Sequence, residues 1–145
     1  MSEEIRTKIE LELIEDMIFK CSMGNMKVKD CYIDETNQEE ANMWGPNPVR
    51  LLGAAVLGCL SASLIFCLKK RNLSFDKFKS EAEVVVARNK EGRLQVKEIN
   101  VKLKPESNNP DTLKRYKQCK KFFETFCTIT QSVRAGIPVN VSYED

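Results

Sequence analysis

The stretch Arg50 to Arg71, RLLGAAVLGCLSASLIFCLKKR, constrains this chain more than any other. From Leu51 to Leu68 it runs 18 residues without a charge, with basic residues at both ends and Cys59 and Cys67 inside. Such a run can be a membrane span, an ordinary core helix, or a helix that presents a reactive thiol. Eighteen residues only just reach the lower limit for crossing a bilayer. The run also holds Gly53, Gly58, Ser61 and Ser63, and its flanks are basic on both sides rather than one. The rest of the chain is an alternating strand pattern that needs a large apolar surface to pack on, and this run is the one on offer. A central core helix is therefore expected, and no membrane association.

Small residues stand along that helix at close-packing intervals: Ala54 and Gly58, Ala55 and Cys59, Gly58 and Ala62. Such spacing lets another helix approach closely, and a symmetric second copy is the natural source of one. A homodimer is expected.

Around the helix the chain reads as α+β. TKIELELI alternates, with Ile9, Leu11 and Leu13 on one face, and MIFKCSM and NMKVKDCYI follow as a hairpin about Gly24-Asn25. Met26, Val28, Asp30 and Tyr32 share a face in the second of these. The polar loop DETNQEEANMWGPNP ends in Pro46 and Pro48, a helix start signal. A second hairpin, FDKFKSEAEVVVARN and RLQVKEINVKLKPE, turns at Gly92. Its apolar positions are Val84 and Val86, then Leu94, Val96, Ile99, Val101 and Leu103. Pro110 opens an amphipathic helix of roughly residues 111–135, with an interruption possible near CTITQ, where β-branched residues lower helix propensity. Gly136 ends it and IPVNVSY is a last strand. One domain over residues 1–145 is the simplest organisation for this length.

Composition narrows the chemistry. The net charge is +2 with Lys and Arg interleaved among Glu, so no nucleic-acid surface is expected. There is no histidine, which removes the usual general base and metal ligand together. The six cysteines form no CxxC, and neither a metal nor a cofactor is expected. The opening MSEEIRTKIELE is charged throughout, so no signal peptide is read there. A reducing, cytoplasmic setting with the cysteines as thiols is expected. Cys21 and Cys31 fall on strands as packing residues. Cys67 lies eight residues after Cys59, and Cys119 eight before Cys127, so each helix carries two thiols about 80° apart, and more than one disulfide pairing is open.

The segment GPNPVRLLGAAVLGCLSASL resembles the signature of the osmotically inducible protein C (OsmC) and organic hydroperoxide resistance family. That signature is a Gly-x-Asn-Pro loop, a helix of small residues, and a cysteine at the position of Cys59. FFETFCTITQSVRAGIPVNVSYED is similar to the family's late helix and strand, and puts a second cysteine at Cys127. The resemblance implies an OsmC-like fold, with antiparallel sheets packed on two long helices in an intertwined homodimer. It implies a peroxide reductase acting on organic hydroperoxides. Cys59 would attack as thiolate and become a sulfenic acid, Cys127 would condense with it to a disulfide, and an external dithiol would reduce that bond. Phe122, Phe123 and Phe126 would line an apolar pocket, or simply pack in the core.

The sequence also departs from the family pattern. Peroxide-reducing members place a Glu directly after the motif's last proline, where Val49 stands here, and an Arg in the turn between the first two strands, where IEDMIF has none. Thr128 follows the second cysteine instead of a proline, and the family's His before it is missing. Arg50, one residue beyond the Glu position and so turned about 100° away, and Arg134 are the candidate stabilisers of thiolate or substrate, with Arg6 a further one. These departures support an alternative: a catalytically altered member that binds a small apolar or sulfur-containing ligand at the dimer interface.

Overall fold

The computed structural model describes residues 4, 6–15, 18–26, 30–36 and 44–144, with the Leu11 side chain excepted. The chain divides into two compact units, Met1–Leu52 and Gly53–Asp145. The first holds a three-stranded antiparallel sheet, β1 (Glu10–Glu15), β2 (Ile18–Ser22) and β3 (Cys31–Asp34), in that spatial order. The expected hairpin is there, with Ile18 opposite Asp34 and Cys21 opposite Cys31. Gly24 takes a φ of +103°, which a side chain would resist, so the turn falls where the sequence placed it. Val28 and the loop positions 37–43 lie outside the described residues. On β1 the expected apolar face is not covered within the chain: Ile9 and Leu13 are exposed.

The segment Gly45–Pro48 shows why its residues are what they are. A Cβ on Gly45 would lie 2.0 Å from the Tyr32 carbonyl oxygen, so only glycine passes β3 at this point. Asp34 accepts hydrogen bonds from the Thr36 and Trp44 backbone N–H groups, and the Asp34 N–H donates to Pro46 O. Those bonds, with the Thr36 hydroxyl, hold the Asp34 carboxyl below its ordinary pKa. Asn47 then caps the helix: its Oδ1 accepts from Arg50 N at 2.8 Å and its carbonyl from Leu51 N. Pro48 occupies the first helical position, where a missing N–H costs nothing.

Helix α1 (Pro48–Lys69) continues through the second unit. Gly53, Val56, Leu60, Leu64, Cys67 and Leu68, at helical spacing, make its buried face. The helix ends because Asn72 turns to φ 56°, letting Leu73 N–H reach Leu68 O. Its buried face packs with Phe78, Ile99, Val101 and Leu103 of a long hairpin, β4 (Lys77–Arg88) and β5 (Leu94–Glu106). Gly53 marks the close approach, since a Cβ there would sit 2.7 Å from Val84 Cγ2. Further along, Ser61 and Ser80 share a hydrogen bond of 3.0 Å. In β5 the apolar parity changes between Val96 and Ile99, and the pairing explains it. Val85 faces Glu98 while Val86 faces Val96, so Lys97 is an extra residue in a bulge.

The late helix departs from expectation. In place of one long helix there are α2 (Pro110–Cys119), a 3-10 turn (Phe123–Phe126) and α3 (Thr128–Ala135). The break precedes the β-branched run, which itself remains helical. Phe123 turns into the core while Phe122 and Phe126 are exposed. The expected last strand is not formed either, since residues 137–144 pair with no strand among the described residues.

A disulfide joins Cys67 to Cys119, and Arg115 Nε and Nη2 each donate to the Cys67 carbonyl at 3.2 Å. This corrects the expectation that all six cysteines are thiols, and it fixes the end of α2 against α1. With a sequence separation of 52 between the partners, loop closure is worth about 4 kcal/mol. Guanidinium unfolding with and without reductant should differ by about that amount, and Cys67→Ala/Cys119→Ala should abolish the difference. Gly53→Ala should lower stability by about 1 kcal/mol in the same assay, the crowding of Val84 outweighing the gain in helix propensity.

Candidate functional site

Two of the remaining cysteines meet. Cys59 lies on α1, half-buried at the edge of the core, and Cys127 is fully buried immediately before α3. The break after α2 makes this meeting possible, because it ends the 3-10 turn with Cys127 in an extended conformation (φ −82°, ψ 100°). The two side chains stand close enough to couple: Cys127 raises the Cys59 thiol, and Cys59 lowers the Cys127 thiol.

The surroundings treat the two sulfurs differently. Burial raises the Cys59 thiol, and its bond to Cys127 raises it further, against the lowering effect of the Ile129 and Thr130 backbone N–H groups. Burial also pushes Cys127 upward, but hydrogen bonds from Cys59, from the Thr130 hydroxyl and N–H, and from Ser63 overcome it. Cys127 therefore ends below the ordinary thiol range. The N–H groups at the start of α3 are the unpaired donors of a helix N-terminus, a suitable place for a negative sulfur. Cys127 Sγ lies 3.0 Å from Thr130 Oγ1; the thiol donates when protonated, and the hydroxyl can turn to donate when it is not.

The three phenylalanines line one cavity of about 560 Å³, together with Ser63, Phe66 and Lys70. Neither Cys59 nor Cys127 is on its wall, and Ser63, which reaches Cys127, is the link between pair and cavity. The Lys70 ammonium stands 5.2 Å from the Phe66 ring centre and 5.8 Å from that of Phe126. Arg134 is occupied elsewhere, its Nη2 2.6 Å from Glu124 Oε1 at the surface. Arg50 is on α1 but nine residues before Cys59, about 13 Å along the axis. No guanidinium is among the leading influences on either thiol. Sequence reasoning missed Ser63 and Thr130, although Ser63 at i+4 from Cys59 was a signal that the two share a helix face. Among the described residues no cluster of three His, Cys, Asp or Glu could hold a metal ion.

A helix with a half-buried cysteine, facing a second cysteine at the start of a short late helix, defines an α+β thiol-pair protein. Residues 37–142 match the family model described as OsmC-like protein, and the chain belongs to that family. Solved structures show the same α+β fold of antiparallel sheets and helices. An OsmC-like protein from Mycoplasma pneumoniae is similar with TM-score 0.68 and 15% identity, covering 91% of this chain and 89% of its own. An OsmC-like protein of unknown function from Vibrio cholerae gives 0.67 and 11%, covering 91% and 94%. The organic hydroperoxide resistance protein OhrB of Bacillus subtilis gives 0.64 and 17%, covering 90% and 91%. No curated protein shows a significant match to the sequence.

Thr130→Val removes the hydroxyl beside Cys127 and should raise that thiol. At pH 7 the thiolate fraction then falls, and alkylation of the pair by iodoacetamide should slow roughly tenfold, the worth of one hydrogen bond to a charged sulfur. The expected signature is a pH–rate profile moved to higher pH.

Proposed function

We propose that this protein is a two-cysteine reductase of organic hydroperoxides. What carries the reading is the pairing of Cys59 and Cys127, two thiols close enough to shift each other's ionisation in opposite directions. In this mechanism Cys59, the more accessible sulfur, attacks the distal peroxide oxygen while its proton passes to the Cys127 sulfur. Cys127, the more acidic partner, is thus the base that a chain without histidine, and with Val49 at the family Glu position, otherwise lacks. The O–O bond breaks, the alkoxide takes a proton from water and leaves as the alcohol, Cys59 becomes a sulfenic acid, and the Cys127 thiol condenses with it to a disulfide and water. An external dithiol restores the pair. The family's second stabiliser, an Arg in the turn between the first two strands, has no counterpart in IEDMIF.

The assembly we propose is a homodimer. Ala54, Gly58, Ala62 and Phe66, each four residues from the next, form an exposed ridge on α1 opposite its buried face. Among the described residues, Ile137, Val139, Val141 and Tyr143 expose a period-two apolar row with no strand partner, and the β4–β5 sheet has two free edges. All of these are surfaces that a second copy would cover. Helix α1 is long and apolar enough to cross a membrane, but the Ser61–Ser80 bond and the packing of its inner face on β4 and β5 favour a soluble assembly. A cytoplasmic location is part of the proposal. The Cys67–Cys119 disulfide can persist there because its sulfurs are sealed, at 5% and 0% residue exposure.

A second reading rests on the apolar cavity: a family member that binds a small apolar or sulfur-containing ligand beside the phenylalanines and turns nothing over. Stopped-flow oxidation of the reduced thiol pair by cumene hydroperoxide separates the two. The enzyme reading requires oxidation at least a hundredfold faster than a free thiol, lost in Cys59→Ser and slowed tenfold or more in Cys127→Ser before any disulfide forms. A rate no greater than that of a free thiol would sink it. Gly58→Leu should split the dimer into monomers on sizing, since a branched side chain cannot enter a close helix contact.

A further inference from the structure

All six cysteines of the chain fall into three spatial pairs: Cys67 with Cys119, Cys59 with Cys127, and Cys21 with Cys31. The third pair belongs to neither the disulfide nor the proposed catalytic site. We propose that Cys21 and Cys31 are a separate redox-active dithiol, which closes to a cross-strand disulfide when it meets a hydroperoxide.

Three observations carry this. Cys21 and Cys31 are directly opposite in the β2–β3 ladder, so their side chains leave the sheet on the same face. Directly opposed antiparallel residues have Cα atoms roughly 4.5–5.5 Å apart, inside the range a disulfide spans, and no backbone movement is needed. The two side chains are close enough to couple, the Cys31 side chain raising the Cys21 thiol. Both residues also line a cavity of about 540 Å³ whose wall includes Glu10, Glu12, Lys20 and Met23. Cys31 is half-buried, so a small oxidant can reach the pair through it.

The roles within the pair follow from access. Burial raises the Cys21 thiol and the Cys31 side chain raises it further, and Cys21 is 3% exposed while Cys31 is half-buried. Cys31 therefore meets the oxidant first. Its thiolate attacks the distal oxygen of the hydroperoxide, the O–O bond breaks, and the alcohol leaves with a proton. The resulting sulfenic acid on Cys31 is attacked by the Cys21 sulfur, water leaves, and the S–S bond forms. Two thiols have given up two electrons, and one hydroperoxide has become alcohol and water. The bond staples β2 to β3 and fixes their register, which in a short sheet is otherwise open to slippage. Oxidation thus stiffens the first unit independently of events at Cys59.

The test uses the full-length Cys59→Ser/Cys127→Ser protein. It is exposed to cumene hydroperoxide, alkylated with iodoacetamide, and digested with trypsin without reduction. Lys27 and Lys29 separate the two cysteines, so they fall in different peptides, and a bond between them appears as a joined mass. The expected result is loss of two thiols per chain, a joined Cys21–Cys31 peptide in most molecules, and its disappearance with phosphine reductant. The same mapping on the wild-type chain after diamide should give the same joined peptide, which guards against misfolding of the double variant. Full alkylation of both cysteines after oxidant, or sulfinic acid on Cys31 with Cys21 still alkylated, would overturn the proposal. So would linkage of either cysteine to a different partner.

Discussion

One contact organises the second unit: the thiol of Cys59 resting on the sulfur of Cys127. It needs Cys59 on the core edge of a helix held close to β4, which Gly53 permits. It also needs Cys127 outside any helix yet next to one, which the break between α2 and α3 supplies. The Cys67–Cys119 bond fixes the end of α2, so the short turn that follows can deliver Cys127 to its place. A sulfur so placed is surrounded by hydrogen-bond donors rather than cations. The acidity of the pair therefore comes from amide and hydroxyl dipoles and from the neighbouring thiol, not from arginine.

Much of this was legible in the sequence. The Gly-x-Asn-Pro segment was readable because each residue answers a local demand: Gly45 to pass a carbonyl, Asn47 to cap, Pro48 to start a helix. The parity change between Val96 and Ile99 is absent from the sequence reading, which treats Leu94 to Leu103 as largely alternating, and is a bulge at Lys97. Other features depend on contacts that no local pattern encodes. The break in the late helix carries no local signal, since residues 120–126 hold neither proline nor glycine. The choice of Cys119 as the partner of Cys67 was equally hidden, because two cysteines on each of two helices allow several pairings.

The apolar surfaces left open are the other lesson. Ile9 and Leu13 on β1, the outer ridge of α1 and the C-terminal row from Ile137 to Tyr143 all have the periodicity of buried elements, yet the single chain does not cover them. Their patterns are correct for a core, and we read that core as shared between two copies.

The most direct measurement of the central contact is the thiolate absorbance near 240 nm as a function of pH. The difference between the wild-type chain and Cys59→Ser/Cys127→Ser isolates this pair from Cys21 and Cys31. The predicted result is one thiol per chain ionising at lower pH than an ordinary cysteine and the second at higher pH. A difference curve in which neither thiol is shifted downward would contradict the coupling of the pair and the chemistry proposed from it.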